Sequence, residues 1–384
     1  MRTPKDWGQP CPHPACAHYS RTTCGNVSAL ATYLTPSGKR RIFRCRTGET
    51  RFSETREPVF FDLRTAEAKI MMALKMLLVR VDLAGICFVL GVTAETGLAW
   101  LKPAAHQAEA INRHLLQNLP VTHVQLDEMW HCIARKHARE TDEAGERVPE
   151  GEDGRQWIWV SLVPEFRLMI AAVVGPRTLD MAKAVVAVTK ARVAGIPACF
   201  RDGFTCSLAA LLAAFPVVTT CAHTGRRGRP HTPFCAPHPD VVYGQLVTQQ
   251  KQGTLLTLST RVVLGAEHLT SLGLTVSTAL VERANLTLRQ ALAPLVRKTP
   301  SFCKDRERLR QRVVFFQAFY NVARPHMSLR RQLPMRERIR HGAIRPRWRE
   351  RTPAMAAGLT DHVWTFRELL TAKFEPLDSQ SISR

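Results

Sequence analysis

The chain has 384 residues, 45% hydrophobic and 22% charged, with 54 Lys and Arg against 32 Asp and Glu, a formal charge of +22. That balance excludes an acidic disordered chain, and the length allows two or three domains at roughly 100–200 residues each. No apolar run approaches the roughly 18 residues needed to span a bilayer, and Met1 to Asp6 lack the apolar segment of a secretory signal, so the expected location is cytoplasmic, with no membrane partner.

The positive charge is concentrated in two blocks. Residues 1–56 carry 10 basic and 3 acidic side chains, residues 57–296 carry 24 and 21, residues 297–351 carry 17 and 4, and the remainder 3 and 4. The second block is almost all arginine, whose planar fork binds phosphate oxygens in pairs while each neutralised phosphate releases counterions. A surface that merely aided solubility would interleave both signs. A nucleic acid is therefore the expected partner.

Four segments follow in chain order. Residues 1–57 hold Cys11, Cys16, Cys24 and Cys45 around Gly-containing turns. In a reducing compartment the 11 cysteines are read as metal ligands or buried small residues rather than as disulfides. A zinc-ribbon-like module, with ligands on two knuckles joined by hairpins, fits the first knuckle. The second is incomplete: a ribbon would supply another Cys two residues after Cys45, beside Gly48, and this chain has none there. Cys24 or His18 could serve as fourth ligand to one structural Zn²⁺; a metal-free hairpin with buried thiols is the alternative.

Residues 58–118 carry helical spacing at Ile70, Leu74, Leu77 and Leu78, then Leu83, Ile86 and Leu90, a Gly91-Val92-Thr93 turn, and a second helix from Ala94 with Thr93 as N-cap. Two helices across a tight turn fit a helix-turn-helix whose second helix exposes Glu95, Thr96 and Lys102. A plain helical bundle fits the same pattern.

Residues 119–330 change period. Strands are expected at Val121 to Ile133, Trp157 to Val163 and Leu168 to Val174, with an acidic loop, Glu140 to Asp153, between the first two. A helix from Thr178 to Arg192, a strand ending Arg201-Asp202-Gly203, a helix at Ser207 to Ala214 and a strand-like run from Pro216 to Thr220 follow. This order gives an α/β fold, a mixed sheet with flanking helices. A Gly/Pro/Gln-rich stretch at about 224–274, containing a few strand-like runs, reads as an insertion. Cys221 and His223 at its start and Cys235 and His238 within it have a spacing that matches no standard zinc motif, and it holds the basic turn Gly225 to Pro230. Helices resume at Thr278 to Arg297 and Asp305 to Tyr320. Residues 331–384 form a basic extension ending in a short amphipathic stretch, Asp361 to Phe374.

Three acids stand out by position: Asp127 in an otherwise apolar strand, Asp202 at a strand exit and Glu282 on the helix after the insertion. Singly, each has an ordinary reading as a turn former or surface ion pair. Brought together they would repel one another unless cations lay between them, and two Mg²⁺ or Mn²⁺ ions about 3.5–4 Å apart would resolve the repulsion and serve phosphoryl transfer. Glu282 and Arg289, two helical turns apart, project from one face.

At these residues the sequence resembles the DDE transposases of bacterial insertion sequences, most closely the insertion-sequence-one family and its longer relatives. The motifs are Leu126-Asp127-Glu128-Met129-Trp130, Arg201-Asp202-Gly203, Val281-Glu282-Arg283-Ala284-Asn285-Leu286-Thr287-Leu288-Arg289-Gln290, and Phe319-Tyr320-Asn321 followed by Arg324-Pro325-His326-Met327-Ser328-Leu329. Ala284 departs from the family, which often has His or a larger residue there. The resemblance implies an RNase H-like core with Asp127, Asp202 and Glu282 as catalytic metal ligands. It also implies double-stranded DNA as the partner, with cleavage at terminal inverted repeats and joining of the freed 3′ ends to target DNA. DNA contacts are expected at Thr96, Lys102, Arg289, Arg324 and His326, and a homo-oligomer is expected because two DNA ends must be held together.

Overall fold

The computed structural model describes residues 7–133, 154–219, 234–251, 254–333 and 348–374, apart from short gaps at 14, 20, 22–23, 55, 57–58, 62, 204–205 and 298. The acidic loop, Cys221, His223 and the basic turn from Gly225 lie outside the described residues.

The N-terminal module is a three-stranded antiparallel sheet, β1 (Val27–Thr35), β2 (Gly38–Cys45) and β3 (Arg51–Ser53). Its small core is Cys11, Cys16, Val27, Phe43, Cys45 and Phe52, with Trp7 against it. Too little apolar area is enclosed there to hold so short a chain by burial alone, the situation in which domains of this size use a metal.

Three helices follow: α1 (Glu67–Leu77), α2 (Leu83–Leu90) and α3 (Ala94–Leu115). Asp82 caps α2, its carboxylate accepting from the Gly85 N–H at 2.7 Å, and Gly91 closes it at φ +58°, a left-handed conformation open to glycine at little cost. Thr93 caps α3 through the Thr96 N–H, and the two helices meet at 109°. No single described helix is long and apolar enough to cross a membrane. Val59 to Ile111 share one apolar core with Met129, Ile158 and Val160 of the main sheet and with Phe315 and Leu370 further on.

That sheet has six strands. β4 (His123–Ile133), β5 (Gly154–Val163) and β6 (Leu168–Gly175) run antiparallel in sequence; α4 (Leu179–Lys190) then returns the chain to β7 (Ala198–Asp202), which lies parallel to β4. α5 (Cys206–Ala214) leads to β8 (Pro216–Thr219), which pairs with β9 (Phe234–Pro237) in a separate two-stranded sheet rather than joining the main one. The strand beside β7 is instead β10 (Tyr243–Lys251), parallel to it, and β11 (Thr254–Leu264) closes that edge as a hairpin. Part of the stretch read as an insertion is thus built into the sheet, in the order β11, β10, β7, β4, β5, β6. Gly244 permits this, because a Cβ there would come within 2.5 Å of Val276 and 3.1 Å of Phe200.

After α6 (Ala266–Ser271), α7 (Ala279–Ala291) and α8 (Arg306–Val322) cover one face of the sheet. Asn321 ties α8 to the outer strand: its side chain accepts from the Met169 N–H at 3.0 Å and donates to the Met169 carbonyl at 2.9 Å. Gln317 donates to the same carbonyl at 2.8 Å. The remaining described strands and α-helices are a small pair, β12 (Arg331–Gln332) with β13 (Trp348–Arg349), and two short helices, α9 (Pro353–Ala356) and α10 (Phe366–Thr371). A reciprocal capping box between Thr365 and Glu368 starts α10, and its Leu369 and Leu370 enter the shared core.

Candidate metal centres

Adjacent parallel strands place residues at equal height. The β4–β7 register ends at Leu126 opposite Arg201, so the next residues, Asp127 in the middle of β4 and Asp202 at the C-terminal end of β7, stand side by side on neighbouring central strands. One carboxylate oxygen each from Asp127, Glu128 and Asp202 lies within 4.8 Å of the others.

Strand alternation gives Asp127 and Glu128 different surroundings. Glu128 is already neutralised: Arg177 donates to its Oε1 from Nε at 2.8 Å and from Nη2 at 2.6 Å, and Arg201 Nη2 donates to its Oε2. Both guanidinium groups also lie over aromatic rings, Arg177 over Trp157 at 4.8 Å and Arg201 over Trp159 at 5.0 Å. Arg201 further approaches Asp202, with Nε 3.5 Å from Oδ1. Glu128 is therefore buried and bound by two arginines, whereas Asp127 and Asp202 are the half-buried members of the group.

Asp127 feels that juxtaposition. Burial, then the carboxylates of Asp202 and Glu128, push it up to about 7, against the opposing pull of the Glu128 N–H and the Asn285 amide. A carboxyl at that value is poised between protonation and capture of a divalent ion, and a hard, oxygen-seeking cation such as Mg²⁺ or Mn²⁺ suits the donors.

Helix α7 runs along the same face of β4. Gln125 Oε1 accepts from the N–H groups of Leu280 at 3.1 Å and Val281 at 3.0 Å, anchoring the start of the helix, and Asn285 Nδ2 donates to Asp127 Oδ2 at 2.7 Å. A turn further on, Arg289 is close enough to be held below its ordinary pKa by burial and by Arg297 while Asp127 pulls the other way. His131, buried on β4, is pushed down to about 4 by burial and by Arg289, so it is neutral.

Glu282 sits one turn before Asn285, exposed, and accepts a hydrogen bond from Thr278 Oγ1 at 2.7 Å. It lies outside the compact acidic group, although its helix is docked on the strand that carries Asp127. Of the residues expected to touch DNA, Lys102 is exposed, and the Thr96 hydroxyl lies 3.0 Å from that of Thr93 in the helix cap. Arg324 is half-buried. His326 turns inward: its ring meets Tyr320 Oη and Ser328 Oγ, each at 3.3 Å, and its N–H donates to the Arg351 carbonyl.

Sequence reasoning missed Glu128, Arg201, Arg177, Gln125 and Asn285. Three of them could have been flagged. An Arg directly before Asp202 and a Glu directly after Asp127, on paired strands, are a ready ion pair, and Asn285 is one helical turn from Glu282.

The second cluster lies in the N-terminal module. Cys11, Cys16 and Cys45, all buried, bring their sulfurs within 4.8 Å of one another. Cys24 is half-buried and outside that group. N–H groups point at the thiols: His18 N–H to Cys16 at 3.4 Å, Gly48 N–H to Cys45 at 3.2 Å, and the Asn26 amide to Cys45 at 3.3 Å. Burial pushes Cys11 up to about 12; burial acts the same way on Cys45, but the Gly48 and Thr47 backbone and the neighbouring thiols outweigh it and hold Cys45 below its ordinary value. Three convergent soft donors suit a thiophilic ion of the Zn²⁺ type.

No protein-family model matches the sequence, and no curated protein matches it either.

Proposed function

We propose that the chain is a DNA-cutting and DNA-joining enzyme of the DDE transposase type, acting on the terminal inverted repeats of a mobile element. The observation that carries this reading is the pairing of Asp127 and Asp202 on two neighbouring central parallel strands, with the Glu282 helix docked on the first of them. The strand order supports it, since an antiparallel trio followed by two strands parallel to its first member is the arrangement an RNase H-like core requires.

Asp127 and Asp202 would hold the divalent ions, with Glu282 as third ligand. When bound, those ions supply Lewis-acid stabilisation of an attacking and a leaving oxygen at a phosphodiester. Asn285 fixes the Asp127 carboxylate by donating to Oδ2 and leaves its other oxygen facing the Glu128 N–H at 2.9 Å. The Glu128–Arg201 pair fixes the backbone that carries both aspartates, and Arg201 offsets the charge of Asp202. Arg289 stands beside Asp127 on the same helix as Glu282, where a guanidinium can receive a DNA phosphate. The exposed side of α2 and α3, with Lys102, would act as a helix-turn-helix, and the N-terminal module, with one structural Zn²⁺, would add to binding of the repeats. Arg330, stacked over Trp348 at 4.4 Å, and Arg331 and Arg349 beside it extend the basic surface.

One observation favours a second reading, a DNA-binding protein that no longer cuts: the Asn285 amide occupies the Asp127 oxygen on the side of α7. Incubating the full chain with Mg²⁺ or Mn²⁺ and a duplex carrying the repeat ends that flank the gene separates the readings. Nicking at the repeat end and joined products with a target plasmid are expected, both lost in Asp127→Asn. Equal nicking by wild type and Asp127→Asn would remove the metal assignment, nicking without joining would reduce the enzyme to a nuclease, and binding without nicking would favour the second reading.

A further inference from the structure

The geometry of the N-terminal module points to a three-thiolate metal centre with a fourth coordination position open to an outside ligand, at the place where Gly48 stands. Three of the four donors of a closed structural site are present: Cys11, Cys16 and Cys45 converge within 4.8 Å and are buried. The N–H bonds from His18, Gly48 and Asn26 to two of the sulfurs are the surroundings a thiolate takes, since sulfur bound to a metal remains an acceptor.

The fourth direction is identified by what a side chain at position 48 would meet. A Cβ on Gly48 would lie 3.2 Å from both Cβ and Sγ of Cys16 and 3.7 Å from Sγ of Cys11. Position 48 therefore faces the sulfurs, three residues after Cys45, where the second knuckle would present a ligand. The sequence expectation put that missing ligand at position 47; the turn that carries the Gly48 N–H onto Cys45 moves it to 48. With hydrogen there instead of a side chain, position 48 supplies no donor, and no described residue completes the group. Cys24 lies outside the group. His18 is the remaining rival, with a buried Nδ1 that has no hydrogen-bond partner among the described residues, but its ring nitrogens are not within 4.8 Å of all three sulfurs.

On binding, each cysteine loses its S–H proton to buffer and forms one sulfur–metal bond, and a water or small donor keeps the fourth position. No redox change is involved. Sites with three protein ligands and one exchangeable position behave differently from closed structural ones, because the open position admits small ligands.

The test uses the full chain and Co²⁺, with Zn²⁺ as competitor, and reads the visible bands of tetrahedral Co²⁺ and the sulfur-to-metal charge-transfer absorption. Wild type is expected to bind one Co²⁺ at this module with three thiolates, its visible bands moving when imidazole or 2-mercaptoethanol is added. Cys24→Ser and His18→Ala should leave the spectrum unchanged, and Cys45→Ser should abolish it. Gly48→Cys should raise the charge-transfer absorption by about a third, make the bands indifferent to added ligand, and tighten Zn²⁺ binding roughly tenfold or more. A wild-type spectrum insensitive to added ligand and lost in Cys24→Ser or His18→Ala would overturn the inference, as would failure of wild type to bind Co²⁺ at all. The wild-type arms decide the matter even if Gly48→Cys does not fold, and none depends on DNA cleavage.

Discussion

The two ligand clusters of this molecule are built in opposite ways. The cysteine cluster is local, its three sulfurs drawn from residues 11 to 45 inside a module with a core of a few side chains, so the ligands are a large part of what holds the module together. The carboxylate pair is long-range: Asp127 and Asp202 are brought together by the register of two strands in a sheet with its own extensive cores, and their mutual repulsion is a cost that the rest of the fold bears. A metal at the first cluster should make structure, whereas a metal at the second should find structure already made.

The largest effect that sharpens this contrast belongs to the thiols. Cys45→Ser should erase amide hydrogen-exchange protection over β1 to β3 while leaving β4 to β7 protected, because metal binding in such modules carries on the order of 10 kcal/mol of folding free energy. Loss of protection in both regions would merge the two clusters into one cooperative unit and break the comparison.

Next comes Glu128→Gln. It leaves two guanidinium groups without their shared carboxylate, one of them, Arg201, fully buried, and should lower stability to urea by about 3–5 kcal/mol. A change under about 0.5 kcal/mol, the scale of an ordinary surface substitution, would mean the network does not support the aspartates. Asn321→Ala, which removes both hydrogen bonds to the Met169 backbone, should cost about 1–3 kcal/mol in the same measurement.

The smallest effect is in pH. Asp127 is raised from the ordinary carboxylate range to about 7, so its ionisation costs stability as pH rises from near 4 and the cost is complete above 7. A proton and a cation compete for it. Apparent Mn²⁺ affinity should therefore fall about tenfold between pH 8 and pH 6, and Asp127→Asn should abolish that dependence. Calorimetric titration at several pH values reads it directly, and a flat profile would place the cation elsewhere.

Much of the architecture of the main sheet was legible. Val121 to Ile133, Trp157 to Val163 and Leu168 to Val174 read as strands because their apolar residues leave few other choices, and all three are strands of the main sheet. Thr93, Thr178 and Asp305 announced three helix starts, each by a side chain that accepts a backbone N–H. Strand-like runs were expected in the stretch that forms β10 and β11, but their place in the main sheet was hidden, since Gln245, Thr248, Gln249 and Gln250 carry little of the apolar pattern a strand in this sheet usually shows. Pro216 to Thr219 misled for the converse reason: a β-branched run looks like sheet whichever sheet it joins. The neighbourhood of Asp127 and Asp202 was foreseeable from acids on separate strands, but the Glu128–Arg201 pair depends on inter-strand register, which no local pattern states. The short helix α2 exposes Phe88 and Val89, an apolar pair whose residue types alone would suggest burial.

The central claim is that Asp127 and Asp202 share a divalent cation. Mn²⁺ binding to the full chain, followed by electron paramagnetic resonance at pH 8, tests it without any DNA. Saturable binding in wild type, weakened more than about tenfold by either Asp127→Asn or Asp202→Asn and unaffected by Cys45→Ser, is the result the account requires. Binding that persists equally in both aspartate variants would contradict it.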